Sequence, residues 1–195
     1  MNALLALATL ILLVGSSWAE GTKFSVKTTA ARNLIQFVSE APLERIVGRT
    51  DEVTGDVTVD LSDLAGPGSG TIRVPLGNLD TGLSLRNEHM RQNHLETSKY
   101  PEVVWRITEF VSADPPGILS GGTSSTLIRG ELELHGVTKE YEILGQLSYD
   151  PLTGILNARY QWPISLKEHQ IARPDFLFMK LSDSQEITVE IEFSR

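Results

Sequence analysis

One stretch, residues 79–101 (LDTGLSLRNEHMRQNHLETSKYP), carries the spacing of a helix in a chain whose other segments alternate apolar and polar residues with a period of two. That contrast constrains the fold more than any other feature. Over residues 53–61, Val53, Val57, Val59 and Leu61 fall on one face of an extended segment, as do Ile72, Val74 and Leu76 over residues 71–76. Val103, Trp105 and Ile107 share a face over residues 102–110, and Ile128, Gly130, Leu132 and Leu134 over residues 127–134. Tyr141, Ile143, Leu147 and Tyr149, then Leu156, Ala158, Tyr160, Trp162 and Ile164, then Ile187, Val189, Ile191 and Phe193 repeat the pattern. Residues 23–28, 33–39 and 43–48 are further strand candidates, the second apolar on both sides. Glycine- and proline-rich links at 63–70, 114–122, 135–136 and 150–154 have the spacing of hairpin connections.

Parallel pairing needs long, usually helical crossovers, and none alternate with these strands, so the chain reads as all-β and antiparallel, with roughly eight to ten strands. A sandwich and a barrel both fit that pattern. The single amphipathic helix favours the barrel: about eight strands leave an open mouth, and a helix over residues 84–95 can cap it through Leu85, His89 and Met90. Residues 165–174 are expected to form a short helix or loop, and 176–181 an extended or irregular segment.

Residues 3–14 are an apolar run too short to cross a bilayer comfortably, and Ser17-Trp18-Ala19 follow with small residues where signal peptidase reads them. The expectation is a secretory signal peptide over residues 1–19 and one domain over 20–195. The chain has no cysteine, so neither a disulfide nor a lipidated thiol holds or anchors it. A net charge of −8 argues against nucleic acid or an anionic membrane surface as the main partner.

Catalytic and metal chemistry find little support. His89 and His94 are five residues apart, not the three or four that place two ligands on one helical face, and no second metal motif accompanies them. His89 is expected to be a partly buried, hydrogen-bonded structural residue, and His94, His135 and His169 to be solvated. No G-x-S-x-G elbow occurs, and the carboxylate pairs Glu131/Glu133 and Glu190/Glu192 fall on the polar strand faces. We therefore assign no catalytic residue, no metal site and no enzymatic activity. Arg86, Arg91 and Lys99 place positive charge around the helix, where Arg86 is a candidate for an anionic head group. The aromatics Phe24, Trp105, Tyr160, Trp162, Phe176 and Phe178 can either fill a small barrel or line a ligand cavity, and sequence alone does not choose.

The turn Asp80-Thr81-Gly82, the helical Arg86-x-x-His89, the Tyr100-Pro101 entry into a strand and the segment Gly130-Glu131-Leu132-Glu133-Leu134-His135-Gly136-Val137-Thr138-Lys139 together resemble the YceI-like family of periplasmic, polyisoprenoid-binding, lipocalin-like barrels. The closing strand DSQEITVEIEF, residues 183–193, is similar too. Asn87 departs from the aspartate more usual there in the family. The resemblance implies an extended antiparallel barrel and a long isoprenoid, of polyprenyl or quinone type, bound in its apolar interior with no other cofactor. The residues expected to hold it are Leu85, His89, Met90, Val103, Trp105, Ile107, Leu132, Tyr160, Trp162, Phe176 and Phe178. It also implies an exported, periplasmic monomer or homodimer in transient contact with a membrane, serving lipid carriage, storage or stress response. A solid-core barrel acting as a stress or interaction module is the alternative.

Cleavage after Ala19 predicts an exported protein whose N-terminal sequence begins at Glu20. A sequence beginning at Met1 would instead identify a retained anchor.

Overall fold

The structure, a computed structural model, describes residues 21–30, 32–41, 44–173, 175–176 and 179–195. The expected leader at 1–19 lies outside the described residues, as do Phe178 and the side chain of Phe176. The alternating segments form strands β1 (Thr22–Val26), β2 (Leu34–Glu40), β3 (Arg45–Thr50), β4 (Thr54–Val59), β5 (Ser69–Pro75), β6 (Glu102–Asp114), β7 (Gly122–Leu134), β8 (Val137–Asp150) and β9 (Ile155–Ser165). A two-residue hairpin, β10 (Asp175–Phe176) and β11 (Met179–Lys180), precedes the last strand, β12 (Ser184–Ser194). All pairings are antiparallel, in the order β1-β4-β5-β6-β7-β8-β9-β12. The ring closes where β12 returns to β1 through Ser25 opposite Ser194 and Val26 opposite Phe193. This is the expected eight-stranded barrel, and closure removes the free edges an open sheet would expose.

The β2–β3 hairpin stands outside that ring. It pairs with β12 along Gln185–Glu190, next to the short stretch that β1 occupies, so one side of the wall passes from β1 to the hairpin at the helix end. The far edge of β3 meets only an isolated bridge between Arg49 and Asp80 among the described residues.

Strands β6 and β7 run longer than the expected 102–110 and 127–134. Register shifts at Ile107/Glu109 and Phe110/Ser112 mark bulges in β6. The first bulge turns Phe110, three residues after inward Ile107, into the core and keeps Glu109 outside, where strict alternation would have done the reverse. The added start of β7 is Gly122-Thr123-Ser124-Ser125-Thr126, which has no apolar residue to signal a strand, yet Ser124 and Thr126 are fully buried.

The end of the barrel away from the helix is packed solid. Phe24, Leu61, Leu64, Ile118 and Leu156 are buried there, and Phe24 meets Tyr149 edge-on at 6.0 Å. The loop between β6 and β7 folds back to supply Ile118, tied by its N–H donating to the Leu61 carbonyl at 2.7 Å. Above this plug, Tyr160 on β9 lays its ring across Gly145 of β8, and its hydroxyl meets Thr126 Oγ1 of β7 at 2.6 Å. A Cβ on Gly145 would stand 2.1 Å from Tyr160 Cδ1, so only glycine leaves room for the ring. Burial pushes the Tyr160 hydroxyl up to about 12, against the smaller opposing effect of the Thr126 hydrogen bond. The outer faces carry exposed ion pairs such as Arg106–Glu133 and Arg159–Glu190, each contributing at most about 1 kcal/mol.

The expected 84–95 helix is shorter than drawn from sequence. An α-helix over Ser84–His89 (α1) gives way to a single π-type turn over Met90–His94. Residues 166–170 form turns rather than a helix.

Gly145→Val is predicted to lower stability by about 1–3 kcal/mol through overpacking against Tyr160. The urea midpoint should fall with an unchanged slope, and an unchanged midpoint would show that the ring has another place to go.

Candidate functional site

Between the plug and the helix the barrel is hollow. An apolar cavity of about 1170 Å³ runs down the lumen, larger than the ~300–1,000 Å³ of ordinary small-molecule pockets. On β12 its wall extends from Gln185 to Phe193, about 26 Å along the strand at ~3.3 Å per residue. Tyr160, Ile143 and Phe193 lie toward its floor.

The inward positions read from the period-two pattern build this wall. Val103, Trp105, Ile107, Leu132, Tyr160 and Trp162 all line the cavity. Trp105 on β6 and Trp162 on β9 approach across the lumen, with ring centroids 6.2 Å apart. Trp105 lies against β7 at Gly130, where a Cβ would stand 2.7 Å from the indole, so glycine again lets a large ring lie along the wall. Phe37 on β2 does the same over Gly48 of β3, at 2.2 Å from the Cβ position. Ile35, Phe37 and Ile46 of the β2–β3 hairpin also line the cavity and were not among the expected site residues. The signal for Ile35 and Phe37 was the doubly apolar 33–39 segment, which offered no face to choose, and Ile46 lay in the short 43–48 candidate. Leu166, Ile171 and Leu181, from irregular segments without periodicity, complete the rim.

Leu85, His89 and Met90 line the mouth, but the expectation that His89 is partly buried and hydrogen-bonded is corrected: His89 is exposed and Leu85 is 66% exposed. The buried residue of α1 is Asn87. Its Oδ1 accepts from the Thr81 N–H at 2.8 Å and the Thr81 hydroxyl at 2.7 Å, while its Nδ2 donates to Asp80 Oδ1 at 2.7 Å. An aspartate here would lose the amide donor and set a second carboxylate against Asp80, so asparagine suits this particular neighbour. The Asn87 donor, with the Gly82 N–H, holds the Asp80 carboxyl below its usual range. Because α1 buries its Asn87 face, Leu85 and His89, one turn apart, share the side turned to the mouth.

Arg86, the expected head-group candidate, is committed within the chain. It donates to Thr81 Oγ1 at 2.9 Å and to the Thr81 carbonyl at 2.8 Å, and pairs with Glu44 beside β3. The guanidinium thereby fastens the helix to the edge of the β2–β3 hairpin.

His135 and His169 were expected in solvent, and both are buried, His169 completely. His135 and Gly136 form the two-residue turn between β7 and β8, both at positive φ, the backbone of a type I′ hairpin. His135 Nε2 meets Glu96 Oε2 at 2.8 Å and its ring lies 4.5 Å from Tyr100. His169 Nε2 meets the Tyr141 hydroxyl at 3.0 Å. Tertiary contact between the 166–171 segment and the β7–β8 hairpin buries both, and nothing local in their sequence announces it. Burial, with a smaller push from Lys139, holds the His169 imidazole below its ordinary value, against the backbone carbonyls of Val137 and Leu134. Among the described residues no group of three or more His, Asp or Glu side chains is placed to hold a metal ion.

The pattern of the YceI-like domain matches residues 26–193. No curated protein matches the chain. Among solved structures, a polyisoprenoid-binding domain from Saccharophagus degradans implicated in plant cell wall breakdown superposes with a TM-score of 0.67 at 15% identity, covering 88% of this chain and 97% of that one. BcnA of Burkholderia cenocepacia gives 0.66 at 14% identity, covering 82% and 95%. The YCEI protein of Campylobacter jejuni gives 0.60 at 13% identity, covering 77% and 85%. At these identities the superpositions establish a shared barrel.

The buried His169 makes the fold acid-sensitive. Unfolded, its imidazole takes up a proton near about 6.5, whereas in the folded chain it stays neutral to lower pH. Below about 6.5 the unfolded state therefore binds more protons, and stability falls with pH; above that value both states are neutral and this contribution is constant. The urea midpoint is predicted to drop between pH 7 and pH 5, and His169→Gln should flatten that slope. Equal slopes in both proteins would refute the assignment.

Proposed function

The chain belongs to the YceI-like family, and from that premise we propose that its barrel binds a long-chain isoprenoid lipid of polyprenyl or quinone type. The observation that carries this reading is the apolar cavity of about 1170 Å³, which is open at the helix end and closed by the plug at the other. A lumen of this size lined by Ile, Leu, Val and Trp side chains takes its affinity from buried apolar area. Its depth suits a tail rather than a compact ring system. The polyisoprenoid-binding domain of Saccharophagus degradans, with the same barrel, supports the choice of lipid class.

Holding such a lipid in water is a carrier's or a store's task, and the mouth is suited to exchange with a bilayer. Leu83 and Leu85, 57% and 66% exposed, continue the cavity wall onto the outer surface and supply apolar contact where a lipid crosses between membrane and protein. The leader expected at residues 1–19 supports the setting we propose, the periplasm, with the lipid as partner and the membrane as transient contact.

Tail length should govern binding. Drug-sized ligands realise about 0.3 kcal/mol per heavy atom, so each added isoprene unit contributes ~1.5 kcal/mol, roughly tenfold in Kd, until the cavity is full. Titrating the delipidated protein with isoprenoids of increasing length is predicted to show that progression. Trp105→Glu should weaken every length alike by placing an unpaired carboxylate in the lumen. Affinity independent of length, or no binding by a protein that remains folded, would overturn the proposal.

A further inference from the structure

The barrel wall is not bonded equally all the way round. Toward the plug the ring closes where β12 pairs with β1, but beside the cavity that side of β12 is taken by β2, and the sheet ends at β3. What stands next to β3 is the 79–86 segment leading into α1, which is not a strand. The two sides meet at Arg49 and Asp80, whose N–H groups donate to each other's carbonyls at 3.0 and 2.9 Å, and at the ion pair between Arg86 and Glu44. Asn78 Nδ2 adds one bond to Glu52 Oε2 at 2.6 Å. Backbone groups aimed away from a paired strand recur at every second residue, so those of Arg45 and Val47 point the same way as those of Arg49. They meet no backbone partner among the described residues.

The cavity reaches this seam from within. Thr81, Leu83 and Arg86 line it from one side, and Glu44 and Ile46 from the other. The Glu44 side chain is also 56% exposed, so along the ion pair a single layer of side chains separates the lumen from water. On the helix side, Asp80, Thr81, Arg86 and Asn87 bond one another and form one piece. Parting that piece from β3 leaves every strand ladder and the plug in place. An exposed ion pair holds such a joint weakly, and backbone groups freed at an open seam pass to water. Through the mouth alone, a long tail has to thread end-on past α1. A parted wall admits it sideways, with the exposed Leu83 at the lip as apolar contact.

Resting on the lipid-holding reading above, we propose that the seam between β3 and the 79–86 segment is the route by which lipid enters and leaves the barrel, with the Arg86–Glu44 pair and the Arg49–Asp80 bridge as its latch.

Transfer of geranylgeraniol between phosphatidylcholine vesicles and the delipidated protein, followed by the emission of Trp105 and Trp162 in the lumen, measures loading and release. The chain has no cysteine, so Glu44→Cys with Arg86→Cys, joined by a short bismaleimide that contains a disulfide, carries one removable tether across the seam. Tethered, this variant is expected to load and release roughly tenfold more slowly than after reduction cuts the tether, each sample being its own reference for folding. A control tether between His94→Cys and Ala172→Cys spans a different part of the rim, where His94 Nδ1 meets the Ala172 carbonyl at 2.9 Å, and should leave both rates as they are. Glu44→Ala, which opens the latch while Arg86 keeps its bonds to Thr81, should speed loading and release together several-fold, as a gate does and a lipid contact does not. An unslowed seam tether, equal slowing by the control tether, or rates unmoved in Glu44→Ala would overturn the seam while leaving a lipid-holding barrel in place. No transfer to any form would overturn the lipid reading itself and the seam with it.

Discussion

The molecule depends on how aromatic rings meet the barrel wall. An eight-stranded barrel has an interior that side chains can just fill, and this chain carries enough large residues to do so. Three glycines decide otherwise. At Gly48, Gly130 and Gly145 the absent Cβ lets Phe37, Trp105 and Tyr160 lie along the wall instead of standing into the lumen. Rings that would have met at the axis line it, and the upper lumen stays open. At the other end Gly68 makes room for Phe110 in the same way, its Cβ position 2.7 Å from that ring, but there Phe24, Tyr149 and Phe110 close the barrel together with residues folded back from the loops.

The residues that carry the family resemblance have mostly a different task from holding ligand. Asp80, Thr81, Gly82 and Asn87 satisfy one another and dock the helix. Arg86 ties that unit to Glu44 beside the β2–β3 hairpin. Tyr100 and the His135-Gly136 turn, more than thirty residues apart in the chain, pack together, and a Cβ on Gly136 would stand 2.6 Å from the Tyr100 ring. These motifs fix the mouth, while the cavity wall is made of interchangeable apolar side chains.

This division accounts for what was legible in the sequence. Alternation placed Val103, Trp105, Ile107, Leu132, Tyr160 and Trp162 on inward faces because period two is a local property of an extended backbone. It gave no sign of the β6 bulges, which turn Phe110 inward out of phase, or of the polar start of β7. His135 and His169 looked solvated because each is buried by a distant segment, and His89 looked buried because helical phase was counted from Leu85 rather than from Asn87, whose amide has the stronger claim to the interior. Hollow and solid barrels share one binary pattern, so the cavity itself could be seen only once the rings and glycines were placed in space.

The plug and the cavity are built on the same strands but on different residues of them. On β8, Leu147 and Tyr149 belong to the plug and Ile143 to the cavity; on β9, Leu156 belongs to the plug and Trp162 to the cavity. Each strand is therefore written in two registers of tolerance. Below Tyr160 a substitution is judged by whether the barrel still closes, and above it by what the barrel will admit. Such a chain can change what its lumen fits by drift in the upper rows alone, without renegotiating the foundation that keeps it folded.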